Sequence, residues 1–247
     1  MEEKKTMHSQ QKIGLGFTGA SGSGKSTLAK LTVRVLVLLG VFADEQIASV
    51  MLDWFYSCLA HLPLEERAKT NFDEPAALEH ELIAEMLETI IVHGKDFVAP
   101  GYRFCDQTRL HRVNLIRSDV SMLVFDGIFL LVWPNVVAQL QITIAVVADH
   151  DVRLTRRILR DKAVRGIDEA TTRKMWDEYV EPGNRRYIEP HVSKADLIVE
   201  NNNGQLPRAL RETVKFVLEK LGISVDEVSR ESAIARALAE EQRKLIF

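Results

Sequence analysis

Apolar residues fall in two rhythms along this chain. Short, nearly unbroken apolar runs recur at about 12–18, 47–52, 122–125, 142–147 and 197–199. Runs of this length without polar alternation predict strands covered on both faces, as in a parallel sheet. Between them, apolar residues at spacings of three and four predict helices. These cover about 25–39 (stopped by Gly40), 76–93 (carried by Leu78, Leu82, Ile83, Met86, Leu87 and Ile90, stopped by Gly94), 151–163, 168–180 and 207–221. Residues 1–11 read as a polar, frayed start, and 223–247 as a charged amphipathic helix or tail. One stretch breaks the alternation: 96–118 alternates apolar and polar residues around Cys105, Asp106 and Gln107, which predicts an inserted β-hairpin. Strands alternating with helices predict an α/β fold with a doubly wound, mostly parallel sheet over about 12–222. Such sheets bind ligands at the carboxyl ends of their strands, where this chain carries Asp53, Asp126 and Asp149. An aspartate in that position also serves as a helix N-cap, so each needs separate support.

Composition narrows the class. At 247 residues, 46% hydrophobic and 27% charged, the chain suits a soluble α/β domain with a large core. A net charge of −3 gives no basis for a nucleic-acid or acidic-membrane partner. The only cysteines, Cys58 and Cys105, lack metal-ligand spacing, which argues against a disulfide framework or a zinc site. The charged start carries no apolar h-region, and no apolar run approaches a membrane span, so a reducing cytoplasm is the expected compartment.

The chemistry concentrates after the first strand. Gly19, Ala20, Ser21, Gly22, Ser23, Gly24, Lys25, Ser26 and Thr27 match the phosphate-loop pattern G-x-x-x-x-G-K-[ST] between a strand and a helix. Three glycines let the backbone wrap a polyphosphate, and the helix adds its positive end. Lys25 is placed to neutralise β- and γ-phosphates, and the Ser26 hydroxyl to hold Mg²⁺. Asp126, after four apolar residues, stands where an acid reaches the same metal. Asp53, opening Asp-Trp-Phe-Tyr, is placed to take a proton from an acceptor hydroxyl. Arg153, Arg156, Arg157 and Arg160 share a helix face, with no matching acids evident, so a lid over about 153–166 that clamps phosphate is expected. There is no Asn-Lys-x-Asp guanine motif and no second phosphate loop.

Taken in order, several motifs resemble the uridine kinase and phosphoribulokinase group of P-loop kinases, and within it the uridine–cytidine kinases. They are Gly19 to Thr27; Asp53-Trp-Phe-Tyr56; Leu64-Glu-Glu-Arg-Ala-Lys-Thr-Asn-Phe-Asp-Glu-Pro75; Pro100-Gly-Tyr-Arg-Phe104; Asp126-Gly-Ile-Phe-Leu130; Arg156-Arg-Ile-Leu-Arg-Asp161 with Arg165-Gly166; and Ile188-Glu-Pro190 with Ala195-Asp-Leu-Ile-Val199. The resemblance implies ATP- and Mg²⁺-dependent phosphorylation of a nucleoside 5′-hydroxyl. It implies Asp53 as base, Asp73 on the ribose hydroxyls, and Tyr56, Phe72, Tyr102, Phe104 and Gln107 around the acceptor. Arg157 would lie near acceptor and phosphates, and Arg160 near the nucleotide. The family often forms tetramers, which implies a homo-oligomer. The chain departs from the family pattern at Gln107 (commonly His), Ile167 (commonly Arg), Met175 (commonly Gln) and Asp126 (often Glu). Two alternatives stay open: a kinase for another small alcohol, such as nicotinamide riboside, pantothenate or a sugar phosphate, and a nucleotide-binding regulator without turnover.

Overall fold

The computed structural model describes residues 12–244 except 68 and 105. The expectations for residues 1–11, for Cys105 at the hairpin turn and for the final residues 245–247 lie outside the described residues. Seven strands form among them: β1 (Ile13–Thr18), β2 (Ile47–Met51), β3 (Phe97–Arg103), β4 (Thr108–Ile116), β5 (Met122–Asp126), β6 (Ile142–Val147) and β7 (Leu197–Glu200). Five of them make one parallel sheet in the order β2-β5-β1-β6-β7. On the central strands β1, β5 and β6 the apolar runs are continuous because both faces are covered. On β5, Met122 and Val124 point into one core with Leu15 and Phe17, while Leu123 and Phe125 point into the other with Val50.

The first core is roofed by α1 (Lys25–Leu38). The second is covered by α2 (His80–Leu87), the hairpin base at Ala99 and Ile116, and residues 129–136. Downstream come α3 (His150–Arg160), α4 (Glu169–Met175), α5 (Leu206–Lys220) and α6 (Glu227–Lys244). Of these, α5 and α6 join the first core: Ala233, Ile234 and Ala237 of α6 are buried in it, and Arg34 Nε of α1 donates to Glu240 Oε2 at 2.6 Å.

The structure moves three boundaries. The helix expected over 76–93 begins at His80, because Pro75 opens a separate 3-10 turn over Pro75–Ala77. The helix expected to stop near 180 continues to Val192, through α-helical turns at Glu181–Gly183 and Glu189–Val192. Wider π-type turns at Trp176–Val180 and Asn184–Ile188 join these segments. Pro182, which has no N–H to give to the ladder, sits in the short α-helical turn between the two wide ones. Finally, β2 ends at Met51, and Asp53 lies in a 3-10 turn over Leu52–Phe55.

The inserted hairpin β3–β4 is antiparallel, with its register shifted between Ala99 and Gly101. Pro100 sits at the shift, and Asn114 Nδ2 donates to its carbonyl at 2.6 Å.

Candidate active site

The loop after β1 is held by close approach. Gly19 and Gly22 have φ of +144° and +80°, and a Cβ on them would lie 2.2 Å from the Val146 carbonyl oxygen and 2.3 Å from that of Arg153. Only glycine fits this loop between β6 and α3. Its carbonyls are gathered on the far side: Asn201 Nδ2 donates to Ser23 O at 2.8 Å, and Arg156 Nη1 donates to Ser23 O at 3.2 Å and Asn201 O at 2.8 Å. Lys25, Ser26 and Thr27 open α1, where the first amides have no intrahelical acceptor. Lys25 is half-buried and Ser26 is exposed.

The sheet register assembles the acids. On β5, Asp126 pairs with Phe17 of β1 on one side and Met51 of β2 on the other. Asp126 therefore stands between the phosphate loop and the turn that carries Asp53. Its Oδ1 is buried and has no hydrogen-bond partner among the described residues. Burial pushes the Asp53 carboxyl above the usual aspartate range and Asp126 adds to this, while Lys25, Arg165 and Arg160 pull the other way. Burial lowers Lys25, opposed by Asp126 and then Asp53. Two acids and one ammonium thus share a poorly hydrated corner, where Asp53 holds its proton more readily than in water. Asp149 does not join them; it stands at the N-cap position of α3.

The arginine face differs from expectation because it does have acids. Arg153 Nη2 donates to Glu181 Oε2 at 3.0 Å, and its guanidinium lies 5.2 Å from the Trp176 ring centre. Arg157 Nε donates to the fully buried Asp161 Oδ2 at 2.5 Å, and its Nη1 donates to Ser21 Oγ at 3.0 Å. Arg160 and Arg165 approach the other oxygen of Asp161 at 3.5 and 3.4 Å. Arg153 and Arg156 therefore brace the fold, whereas Arg157, Arg160 and Arg165 fan from one carboxylate toward Asp53 and Asp73.

A third group lies beside the acids. Tyr56 touches Phe72, Tyr102 and Phe104, with ring centres 5.2, 5.4 and 6.1 Å away, and its hydroxyl donates to Phe72 O at 3.2 Å. Arg165 lies 5.0 Å over the Phe104 ring, so the lid touches the hairpin. Burial pushes the Tyr102 hydroxyl up to about 12. The Tyr102 hydroxyl and the Gln107 side-chain carbonyl are buried without partners among the described residues. Asp73 is raised by burial, against Arg157, Arg165 and Arg160. Its backbone presses on Gly183, where a Cβ would lie 2.2 Å from the Asp73 oxygen.

The structure brings Gly19 to Thr27, Asp53, Asp126, Arg157 and Arg160 to one end of the sheet, with Tyr56, Phe72, Asp73, Tyr102 and Phe104 alongside, and Gln107 at the hairpin turn. The sequence reading missed Asp161, Arg165, Gly183 and Asn201 as site-building residues. Asp161 at i+4 from Arg157 was a visible signal. So was Arg165 at i+4 from Asp161, whereas Gly183 and Asn201 meet the site only through tertiary packing.

A glycine-lined loop, an N-terminal helix lysine and strand-end acids define a phosphotransferase of the P-loop kinase class. Residues 14–206 match the model of the phosphoribulokinase / uridine kinase family. The chain belongs to that family. Among its relatives is a uridine kinase of Vibrio parahaemolyticus serotype O3:K6 (strain RIMD 2210633), 34% identical over 185 residues, covering 75% of this chain and 85% of the relative. A uridine kinase of Clostridium perfringens (strain 13 / Type A) is 32% identical over 210 residues, covering 85% and 97%. The fold also matches D-glycerate 3-kinase from Cryptococcus neoformans var. grubii, with TM-score 0.60 at 13% identity over 81% of this chain and 89% of that one. Among the described residues, no helix is long and apolar enough to cross a membrane.

Proposed function

We propose that this chain is an ATP- and Mg²⁺-dependent nucleoside kinase that phosphorylates the 5′-hydroxyl of uridine or cytidine. The observation that carries this reading is the junction of two half-sites: a phosphate cradle and an aromatic pocket meet at Asp53. The uridine kinase relatives support the same acceptor class.

The residues present fit the groups this reading requires. The cradle tolerates no Cβ at Gly19 or Gly22, as expected where a backbone closes on phosphate. The unpartnered Asp126 Oδ1 and the exposed Ser26 offer the oxygen ligands a hard cation takes. Magnesium held there supplies charge neutralisation to the phosphate oxygens. Lys25 and the α1 amides hold the phosphates in line with the acceptor, and Arg157 and Arg160 offset negative charge on the transferring group. Asp53 takes the hydroxyl proton as the acceptor oxygen bonds to γ-phosphorus and the bond to the ADP oxygen breaks. Asp73 accepts the ribose hydroxyls, and Tyr56, Phe72, Tyr102 and Phe104 wall the base.

An ADP-release assay with a panel of acceptors tests this. Uridine or cytidine should give the highest kcat/KM among uridine, cytidine, nicotinamide riboside, pantothenate and sugar phosphates. Preference for a non-nucleoside alcohol would overturn the acceptor, and ATP binding without release on any acceptor would overturn the enzyme.

A further inference from the structure

The proposed acceptor pocket depends on a hairpin that leaves the sheet and returns, and the structure shows how its turn is fixed. Arg103 and Asp106 form an ion pair at 2.5 Å, and Thr108 Oγ1 donates to Asp106 Oδ1 at 2.7 Å. These bonds tie the turn to itself and not to the body. Beside the Arg109–Glu79 ion pair next to the turn, a crossing bond to the turn's own backbone comes from Arg67, 39 positions earlier, whose Nη1 donates to the Asp106 carbonyl at 2.9 Å. The same guanidinium is locked from behind, with Nε donating to Leu62 O at 2.8 Å and Nη2 to Ala60 O at 3.1 Å. That loop is itself pinned to the body, since Ser57 N donates to Ala77 O at 2.9 Å.

The bond to Asp106 falls on a sensitive peptide. The Asp106 carbonyl belongs to the peptide plane that precedes Gln107, and Gln107 has φ of +55°, in the left-handed region that a glutamine rarely adopts. Such a conformation persists only where its surroundings enforce it. Gln107 also carries a buried side-chain carbonyl without a partner, as Tyr102 carries a buried hydroxyl. A strained residue with an unspent polar atom, whose preceding carbonyl is bonded by a long-range arginine, marks a position that is set and not merely packed.

We infer that Arg67 is a positioning residue for the acceptor pocket: it clamps the hairpin turn to the 57–67 loop and holds Gln107 in its left-handed conformation, with Gln107 and Tyr102 presented to the acceptor. The clamp needs a planar fork, because three carbonyls in two segments are met at once; a lysine ammonium on a flexible stem reaches one of them. This inference rests on the proposed nucleoside kinase reading for its kinetic consequence, but not for the clamp.

The test compares Arg67→Ala and Arg67→Lys with the unaltered full chain. Two readouts are used: steady-state kinetics with uridine and ATP, and limited proteolysis of the turn by trypsin, which cuts after Arg103 and Arg109. The expected result is a rise of about tenfold or more in the KM for uridine, from the loss of charge-assisted hydrogen bonds. The KM for ATP should stay unchanged, kcat should stay within about twofold, and cleavage of the turn should be faster. Arg67→Lys should fall between, because it keeps the charge and loses the fork. Unchanged proteolysis in both variants would overturn the clamp, even in a protein that phosphorylates no nucleoside. A parallel rise in both KM values with a lower melting temperature would overturn the positioning role, since it would mean a general structural support. If uridine proves not to be an acceptor, the acceptor reading fails, and the turn's protease sensitivity alone still decides the clamp.

Discussion

Asp53 carries opposing demands at one carboxyl. As the proposed base it must be ionised when the acceptor arrives, yet burial and Asp126 favour its protonated form while Lys25, Arg165 and Arg160 favour the charged one. The acid limb of kcat/KM should therefore rise with pH through a midpoint above the ordinary aspartate value of about 3.9. Asp53→Asn should lower kcat by roughly 10²- to 10⁴-fold while ATP binding, read by calorimetry, stays nearly intact. A variant that keeps full activity would remove Asp53 from the chemistry. Stability should move the other way. Where the folded pKa is raised, the unfolded chain ionises first, so stability falls as pH climbs from the unfolded value through the folded one. Asp53→Asn is exempt from that loss. Its melting temperature should exceed that of the unaltered chain at neutral pH, and the difference should vanish as pH falls through the same window. A neutral-pH melting temperature equal to or below that of the unaltered chain would mean that Lys25 compensates the carboxylate fully.

Whole elements were legible where the chain's own rhythm decides them. The central strands β1, β5 and β6 appear as apolar runs because each is covered on both faces, and the phosphate loop appears because only glycine tolerates the approach of Val146 and Arg153. The lid was legible in part. Its arginine spacing was visible, but Glu181, which neutralises Arg153, lies 28 positions away and is brought near by the return of the long helical run after α4. The helix expected to end near 180 instead runs on past Pro182 and Gly183, flanked by wide turns. The same packing explains why α3 stands as a unit. Asp161 is fully buried and faces Arg157, Arg165 and Arg160 at once, though only Arg157 is itself buried among the three. Replacing Asp161 with asparagine keeps the shape and strands a buried guanidinium. We expect Asp161→Asn to cost about 3 kcal/mol in denaturant unfolding and to raise the KM for ATP through Arg157 and its bond to Ser21. A loss below about 1 kcal/mol would show that water reaches this corner and that the ion pairs are surface pairs in effect.

The chain continues past the stretch that the family model matches. The family match stops at residue 206, yet α5 and α6, which follow it, supply part of the first core. Ala233, Ile234 and Ala237 lie at intervals that place them on one face of α6, against α1 and α5, and all three are buried. At the far edge of that contact, Lys30 and Arg34 of α1 pair with Glu241 and Glu240. Helix α1 opens with the phosphate-loop lysine, Lys25, so the Lys30 pair lies in its loop-facing half. The C-terminal helix packs on α1 and α5 and so bears on the proposed site through α1. A side-chain deletion in its buried face should thus separate stability from catalysis. Ile234 is 1% exposed, and Ile234→Ala leaves a cavity under α6. Its cost should be about 2–5 kcal/mol by denaturant unfolding, while kcat and both KM values of the folded fraction stay within about twofold of the unaltered chain. A rise in the KM for ATP at temperatures where the variant is still folded would contradict this separation: it would mean that α6 sets the position of the α1 amides and so belongs to the nucleotide site.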